Sequence, residues 1–276
     1  MIYVGTCGFA YKDWVGPFYP PRTRADEMLP FYARRFPAVE IDMSYYGIPQ
    51  PKTIDSMNRR TPDGFRFSFK APQTVTHAPD TSTRVHPDAK LLQEAIAPLY
   101  ADGKLACVLA QFPNGFKNEP RNREYLQRVI EAFADMPVVV EFRHRDWQTP
   151  ETIELLRELD AGLCSVDMPH FEELPHASSD VTSAIGYIRM HGRNAKQWWS
   201  GTNVTRYQYL YEPEELGPWA DRAAEIEAQA EETYVFFNNH ARANAARNAA
   251  MLETLLDERY GASAADYVAR AVGGNP

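Results

Sequence analysis

The chain has 276 residues and a mass of 31.4 kDa, enough for one large core; 44% hydrophobic and 24% charged residues, with 15 Gly and 21 Pro, exclude a disordered, collagenous or coiled-coil protein. With 29 basic against 37 acidic residues, the net charge of −8 argues against wrapping nucleic acid over the whole surface and confines any polyanion to a local basic patch. No stretch approaches the ~20 apolar residues of a membrane span, Met1 to Gly5 lacks the features of a signal peptide, and Cys7, Cys107 and Cys164 make neither a disulfide framework nor a Cys-x-x-Cys pair, so a cytoplasmic protein with reduced thiols and no membrane partner is expected.

The first predicted strand, residues 2–6, runs into the glycine-flanked turn Gly5-Thr6-Cys7-Gly8, and the helical pattern that follows is interrupted by Pro30. A strand at 38–42 precedes Tyr45-Tyr46 and a helix at 51–60, and a strand at 65–70 precedes a helix at 88–100. Strands at 105–111 and 138–143 are followed by helices at 123–135 and 150–159, several of these helices opening on Pro or an acidic residue. After the sixth strand, 163–167, the stretch 168–184 is rich in Pro, Ser, Asp and His and shows no helical period. The seventh strand, 185–191, precedes a helix at 214–231; the eighth, 234–238, precedes one that begins near Ala241. Eightfold alternation implies parallel pairing with right-handed crossovers, and its natural closure is a (β/α)8 TIM-type barrel, irregular after strand six. No repeat or linker divides the chain, so residues 1–276 are expected to form one domain.

Strand residues of a barrel alternate between the apolar helix layer and the interior, so apolar neighbours show which way a charge points. Phe67, Phe69, Val108, Val140, Phe142, Val166, Ile188 and Met190 are assigned to the helices. Glu40, Asp42, Ser68, Lys70, Gln111, Glu141, Arg143, Asp167, Arg189 and His191 are then inward, all at the C-terminal halves of their strands. A buried unpaired charge costs several kcal/mol, so these groups must pair, either as a structural salt-bridge layer or as a site at the end of the barrel where catalytic residues usually lie.

Residues 189–206 hold Arg189, Arg193, Lys196 and Arg206 with no acid, together with Trp198 and Trp199; Tyr207, Tyr209 and Tyr211 follow. Such a patch suits a phosphate with a base or sugar stacked nearby, although its tryptophans could equally anchor a surface loop. After strand eight, Asn238, Asn239 and His240 enter an alanine-rich helix whose free N–H groups could face an anion; a plain helix cap is the competing role. Tyr46 and Trp147 are rim aromatics that either line the cleft or pack under loops. A divalent metal could draw on Asp167, Glu141, Glu40, His191 and His240, but Lys70, Arg143 and Arg189 would compete for the carboxylates. Cys7 could serve as a thiolate nucleophile at the mouth or as a small packed residue.

Several blocks carry a resemblance. Gly5-Thr6-Cys7-Gly8-Phe9, Val39-Glu40, Phe67-Ser68-Phe69-Lys70-Ala71-Pro72, Gln111-Phe112-Pro113, Val140-Glu141-Phe142-Arg143-His144, Arg189-Met190-His191-Gly192-Arg193 and Phe237-Asn238-Asn239-His240 occur in order along nearly the whole chain. They resemble the YecE-like family, domain of unknown function 72, and the resemblance implies one TIM-like barrel without naming a reaction. Cys7 stands where that family usually has Ser, which weakens a nucleophile at this position, and Ile41-Asp42-Met43-Ser44 departs from its commoner Asn-Ser/Thr stretch.

Two functions are expected to compete. One is a hydrolase or lyase acting on a phosphorylated or nucleic-acid substrate. In it Glu40, Glu141 or Asp167 would be the base, His191 the acid, and Lys70, Arg143, Arg189 and Arg193 the anion holders. The other is a non-catalytic protein that binds a nucleic acid or a phosphometabolite in the same cleft.

Overall fold

The computed structural model describes residues 1–77, 84–133 and 135–261. Its strands are β1 (Ile2–Cys7), β2 (Ala38–Ile41), β3 (Arg66–Lys70), β4 (Leu105–Gln111), β5 (Val138–Glu141), β6 (Gly162–Asp167), β7 (Ile185–Met190) and β8 (Glu232–Phe237), each on a run read from the sequence. Neighbours pair in parallel and β8 returns to β1, which closes the barrel in chain order. The helices described are α1 (Ala25–Ala33), α2 (Met43–Tyr46), α3 (Pro51–Arg59), α4 (Gln73–Thr76), α5 (Asp88–Ala101), α6 (Pro120–Glu131), α7 (Pro150–Glu158), α8 (Asn203–Arg206), α9 (Pro213–Glu227) and α10 (Asn244–Tyr260).

Local chemistry sets the helix boundaries. Proline occupies the first helical position of α3, α6, α7 and α9, where its missing N–H costs nothing. Pro120 therefore starts α6 ahead of the expected 123, and the helix ends at Glu131; residue 134 of the expected 123–135 segment lies outside the described residues. Pro30 lies inside α1 and does not break it, because the carbonyl it leaves free, that of Asp26, sits in the exposed first turn. Among the described residues no helix joins β6 to β7. The segment 168–184 is instead tied down singly, with Ser178 N–H donating to Ser165 Oγ at 3.1 Å and Thr182 Oγ1–H to the Ala161 carbonyl at 2.6 Å.

The core has two shells. Val39, Ile41, Phe67, Phe69, Val108, Val140, Phe142, Ile188 and Met190 face the helices, while Tyr3, Ala38, Cys107, Leu109, Val139, Tyr187, Tyr234 and Phe236 fill the barrel. Each large side chain removed from water contributes roughly 1.5–3 kcal/mol, so the two shells together hold the strands in register. At Gly5 the barrel narrows: a Cβ there would lie 2.1 Å from the Ala38 carbonyl oxygen of β2, so only glycine permits the β1–β2 approach.

Candidate functional site

The layer beneath the C-terminal mouth is ionic. Glu141 at the end of β5 has no exposed surface; Arg143 Nε donates to its Oε1, and Arg189 from β7 donates to its Oε2 at 2.5 Å. The same Arg189 donates to Glu40 Oε1 on β2 at 2.6 Å, and Tyr187 O–H to Glu40 Oε2 at 2.7 Å. Burial by itself would raise the Glu141 carboxyl, yet Arg143 and Arg189 outweigh it and hold Glu141 well below the usual carboxylate range. His191 is wedged between Glu141 Oε1 (3.1 Å from Nε2) and Asn238 Nδ2 (3.0 Å from Nδ1). The amide must donate to Nδ1, so the proton sits on Nε2 and points at Glu141. Burial, reinforced by Arg143, pushes His191 down to about 3, and the ring is neutral.

Above this layer opens a cavity of about 550 Å³. Four cations line it, Lys70, Arg143, Arg189 and Arg206, with Asp42 as the lining carboxylate. Aromatic walls come from Tyr45 and Tyr46 on α2, from Trp198, Trp199 and Tyr207 in the loop after β7, and from Tyr11, whose ring stacks on His240 at 4.8 Å. His77, after α4, meets the Tyr45 ring edge-on at 5.0 Å, and burial pushes it down to about 4. Three lining atoms are buried without a hydrogen-bond partner among the described residues: Asp42 Oδ1, 3.9 Å from Arg189, Arg189 Nε and Arg206 Nε. Burial would raise the phenol of Tyr207, but Arg143, Lys70, Arg189 and Arg206 bring it below the ordinary tyrosine value.

Residues 3–270 match the model of the family described as "Protein of unknown function DUF72". The chain belongs to the DUF72 family. It is 32% identical to the UPF0759 protein YunF of Bacillus subtilis over 277 aligned positions, covering 94% of this chain and 96% of that one. Among solved structures, a DUF72 protein from Thermotoga maritima superposes with a TM-score of 0.84 at 35% identity, covering 93% of this chain and 99% of that chain. A second, from Enterococcus faecalis, gives 0.82 at 28% identity, covering 94% and 97%. In this DUF72 barrel, several of the sequence blocks quoted above end at the mouth and supply Glu40, Lys70, Glu141, Arg143, Arg189, His191 and Asn238.

Of the residues expected at the site, Lys70, Arg143, Arg189, Asn238, His240 and Tyr46 line the DUF72 cavity, and Glu40, Glu141 and His191 lie buried beneath it. Four others are elsewhere. Asp167 faces the helix layer, where it accepts from Arg193 at 2.9 Å and from Tyr211 O–H at 2.5 Å; Val166, with Cys164 and Met168, is the inward residue of β6. Apolar character does not identify the outer face here, because this quadrant of the interior is itself closed by Leu174 and Trp198. Arg193 leaves the barrel to bind Asp167 and Glu215, since strand alternation lapses at Gly192, whose φ is +87°. Trp147 is 2% exposed and stacks on Phe142 at 4.3 Å beneath the loops. Asn239 braces α10 by donating to the Tyr209 carbonyl and to Asn248 Oδ1. The turn ahead of α10 does hold an anion, but it is Asp13, which accepts from Arg242 N–H at 2.7 Å.

Sequence reasoning missed Tyr11, His77, Asn114 and Leu174 as lining residues. All four lie outside the strands, where alternation gives no signal. Among the described residues, the side-chain ligand atoms of Cys7, Glu40 and Asp42 gather within 4.8 Å of one another. Arg189 already occupies the centre of that group, 3.6 Å from Cys7 Sγ, 2.6 Å from Glu40 and 3.9 Å from Asp42, so the donor set serves a guanidinium and does not fit a divalent ion. Burial holds the Cys7 thiol well above its ordinary value, which removes it as a thiolate nucleophile.

Proposed function

We propose that the cavity binds a small anionic molecule, best a phosphorylated metabolite with a planar group, and acts on it as a hydrolase or lyase. The imbalance of its lining carries the reading: four cations against one carboxylate, in a molecule whose net charge is −8. Counting Glu40 and Glu141 beneath the floor still leaves four cations facing three carboxylates. A buried donor without an acceptor, such as Arg206 Nε, costs about 1–3 kcal/mol, and an anionic ligand would relieve that cost. The tyrosine and tryptophan walls supply faces for a planar group, and the volume suits one nucleotide-sized moiety.

Calorimetry with inorganic phosphate, a nucleoside monophosphate and the uncharged nucleoside tests this. The monophosphate is expected to bind best, and Arg206→Gln to weaken it about tenfold to a hundredfold, the range of a charge-assisted hydrogen bond. An uncharged nucleoside that binds as tightly, or millimolar anions that do not bind, would refute the reading. A short single strand with a terminal phosphate is a further arm, because Tyr46 and Trp199 are 67% and 50% exposed at the rim and offer stacking faces. Turnover of the bound compound separates an enzyme from a binding protein.

A further inference from the structure

Lys70 ends β3 on the interior side, its ammonium group 4.2 Å from the centre of the Tyr45 ring. The fold does satisfy a structural lysine: Lys104, which is buried, donates to the Asn58 carbonyl at 2.8 Å and the Thr61 carbonyl at 2.9 Å. Lys70 has no such acceptor among the described residues, and it lines the cavity. The charged and titratable groups around it come from several elements: Asp42 after β2, Tyr45 on α2, His77 after α4, Glu141 and Arg143 from the β5 end, Arg189 on β7 and Tyr207 in the next loop.

We propose that Lys70 is an amine nucleophile that holds a carbonyl compound bearing a carboxylate or phosphate as a Schiff base. The idea rests on the anion reading of the cleft, since Arg143, Arg189 and Arg206 would hold the ligand's charge while its carbonyl meets Lys70. Burial lowers the ammonium, and the neighbouring Arg189 and Arg143 add to this against the pull of Asp42, so the neutral amine forms at lower pH than on an exposed lysine.

In the step, the nitrogen lone pair attacks the carbonyl carbon and the C=O π pair moves to oxygen. Asp42, whose Oδ1 is buried without a hydrogen-bond partner, takes one proton from nitrogen, and Tyr207 gives one to oxygen and is left as the phenolate. Asp42 then returns its proton to the hydroxyl, water leaves, and the C=N bond forms with one proton kept on nitrogen. The resulting iminium draws electrons from the adjacent carbon, which is what a lyase needs to break a carbon–carbon bond.

The test is reductive trapping of the full chain with pyruvate, with dihydroxyacetone phosphate or with acetone, each followed by cyanoborohydride, digestion and mass spectrometry. A reduced adduct on Lys70 is expected with one of the two anionic carbonyls, at least tenfold above exposed Lys90 and above acetone, suppressed by inorganic phosphate and persisting to lower pH than labelling of Lys90. The two anionic arms tell a carboxylate from a phosphate. Lys70→Arg, checked for folding by its melt, should form no adduct with either anionic carbonyl. Labelling of Lys70 no faster than of Lys90 in both anionic arms overturns the proposal. If phosphate still binds, the covalent step alone is lost; if it does not, the anion reading falls as well.

Discussion

Both carboxylate oxygens of Glu141 are committed, one to Arg143 and His191 and the other to Arg189. A fully buried carboxylate persists only because those donors replace its water, and removing its charge would leave Arg143 uncompensated and Arg189 with Glu40 as its close counter-ion. Glu141→Gln is therefore expected to cost roughly 3–5 kcal/mol in a denaturant or thermal melt, the range for breaking a buried pair. A variant as stable as the wild type would show that the layer is not under that constraint. The two-residue spacing of Glu141 and Arg143 was legible in the sequence as one inward face. So were Glu40, Lys70, Arg189 and His191, because a strand alternates strictly while it lasts. Asp167 was not: its alternation is real, but the inward face of β6 is apolar at Cys164 and Val166, where Leu174 and Trp198 close the interior, so polarity set the wrong phase.

Helix α10 carries a second buried acid. Glu253 is 6% exposed, bound by Arg35 at 2.9 Å, and burial raises it to about 7 against the pull of Arg35. An acid that binds its proton more tightly when folded adds stability below its unfolded value, near 4.5, and that stability is lost as pH rises toward 7. The shift amounts to roughly 3 kcal/mol. His191 works in the opposite sense: its value near 3 means stability is lost as pH falls below its unfolded value, near 6.5. Comparing urea melts at pH 5 and pH 8 for the wild type and Glu253→Gln isolates the first effect. The variant should lose less stability between the two, and an unchanged pH dependence would refute the assignment. At this scale the eight strands were legible from their apolar runs, and the irregular segment 168–184 from its Pro and Ser content. The four-residue helices α2, α4 and α8 were not, since one turn has no period to detect, and α2 is the element that sets Tyr45 and Tyr46 against the cavity.

Across the whole molecule, a chain of net charge −8 holds a cavity lined by four cations. A long polyanion is opposed by the net negative charge of the molecule outside the cleft, whereas a small phosphate entering it meets mainly the cations. Screening reaches about 8 Å at physiological salt, so added salt weakens the outer repulsion and the inner attraction unequally. Each phosphate that a single strand places on a cation contributes a slope of about −0.7 in log affinity against log salt, so four lining cations set a limit near −3. The measured dependence for a short single strand should stay within that limit, with binding weak at physiological salt and declining as salt is added. Tight binding that ignores salt would mean that the contacts lie on some surface other than this cavity; a steeper slope would mean that cations beyond Lys70, Arg143, Arg189 and Arg206, such as exposed Lys196 in the same loop, extend the track for a strand.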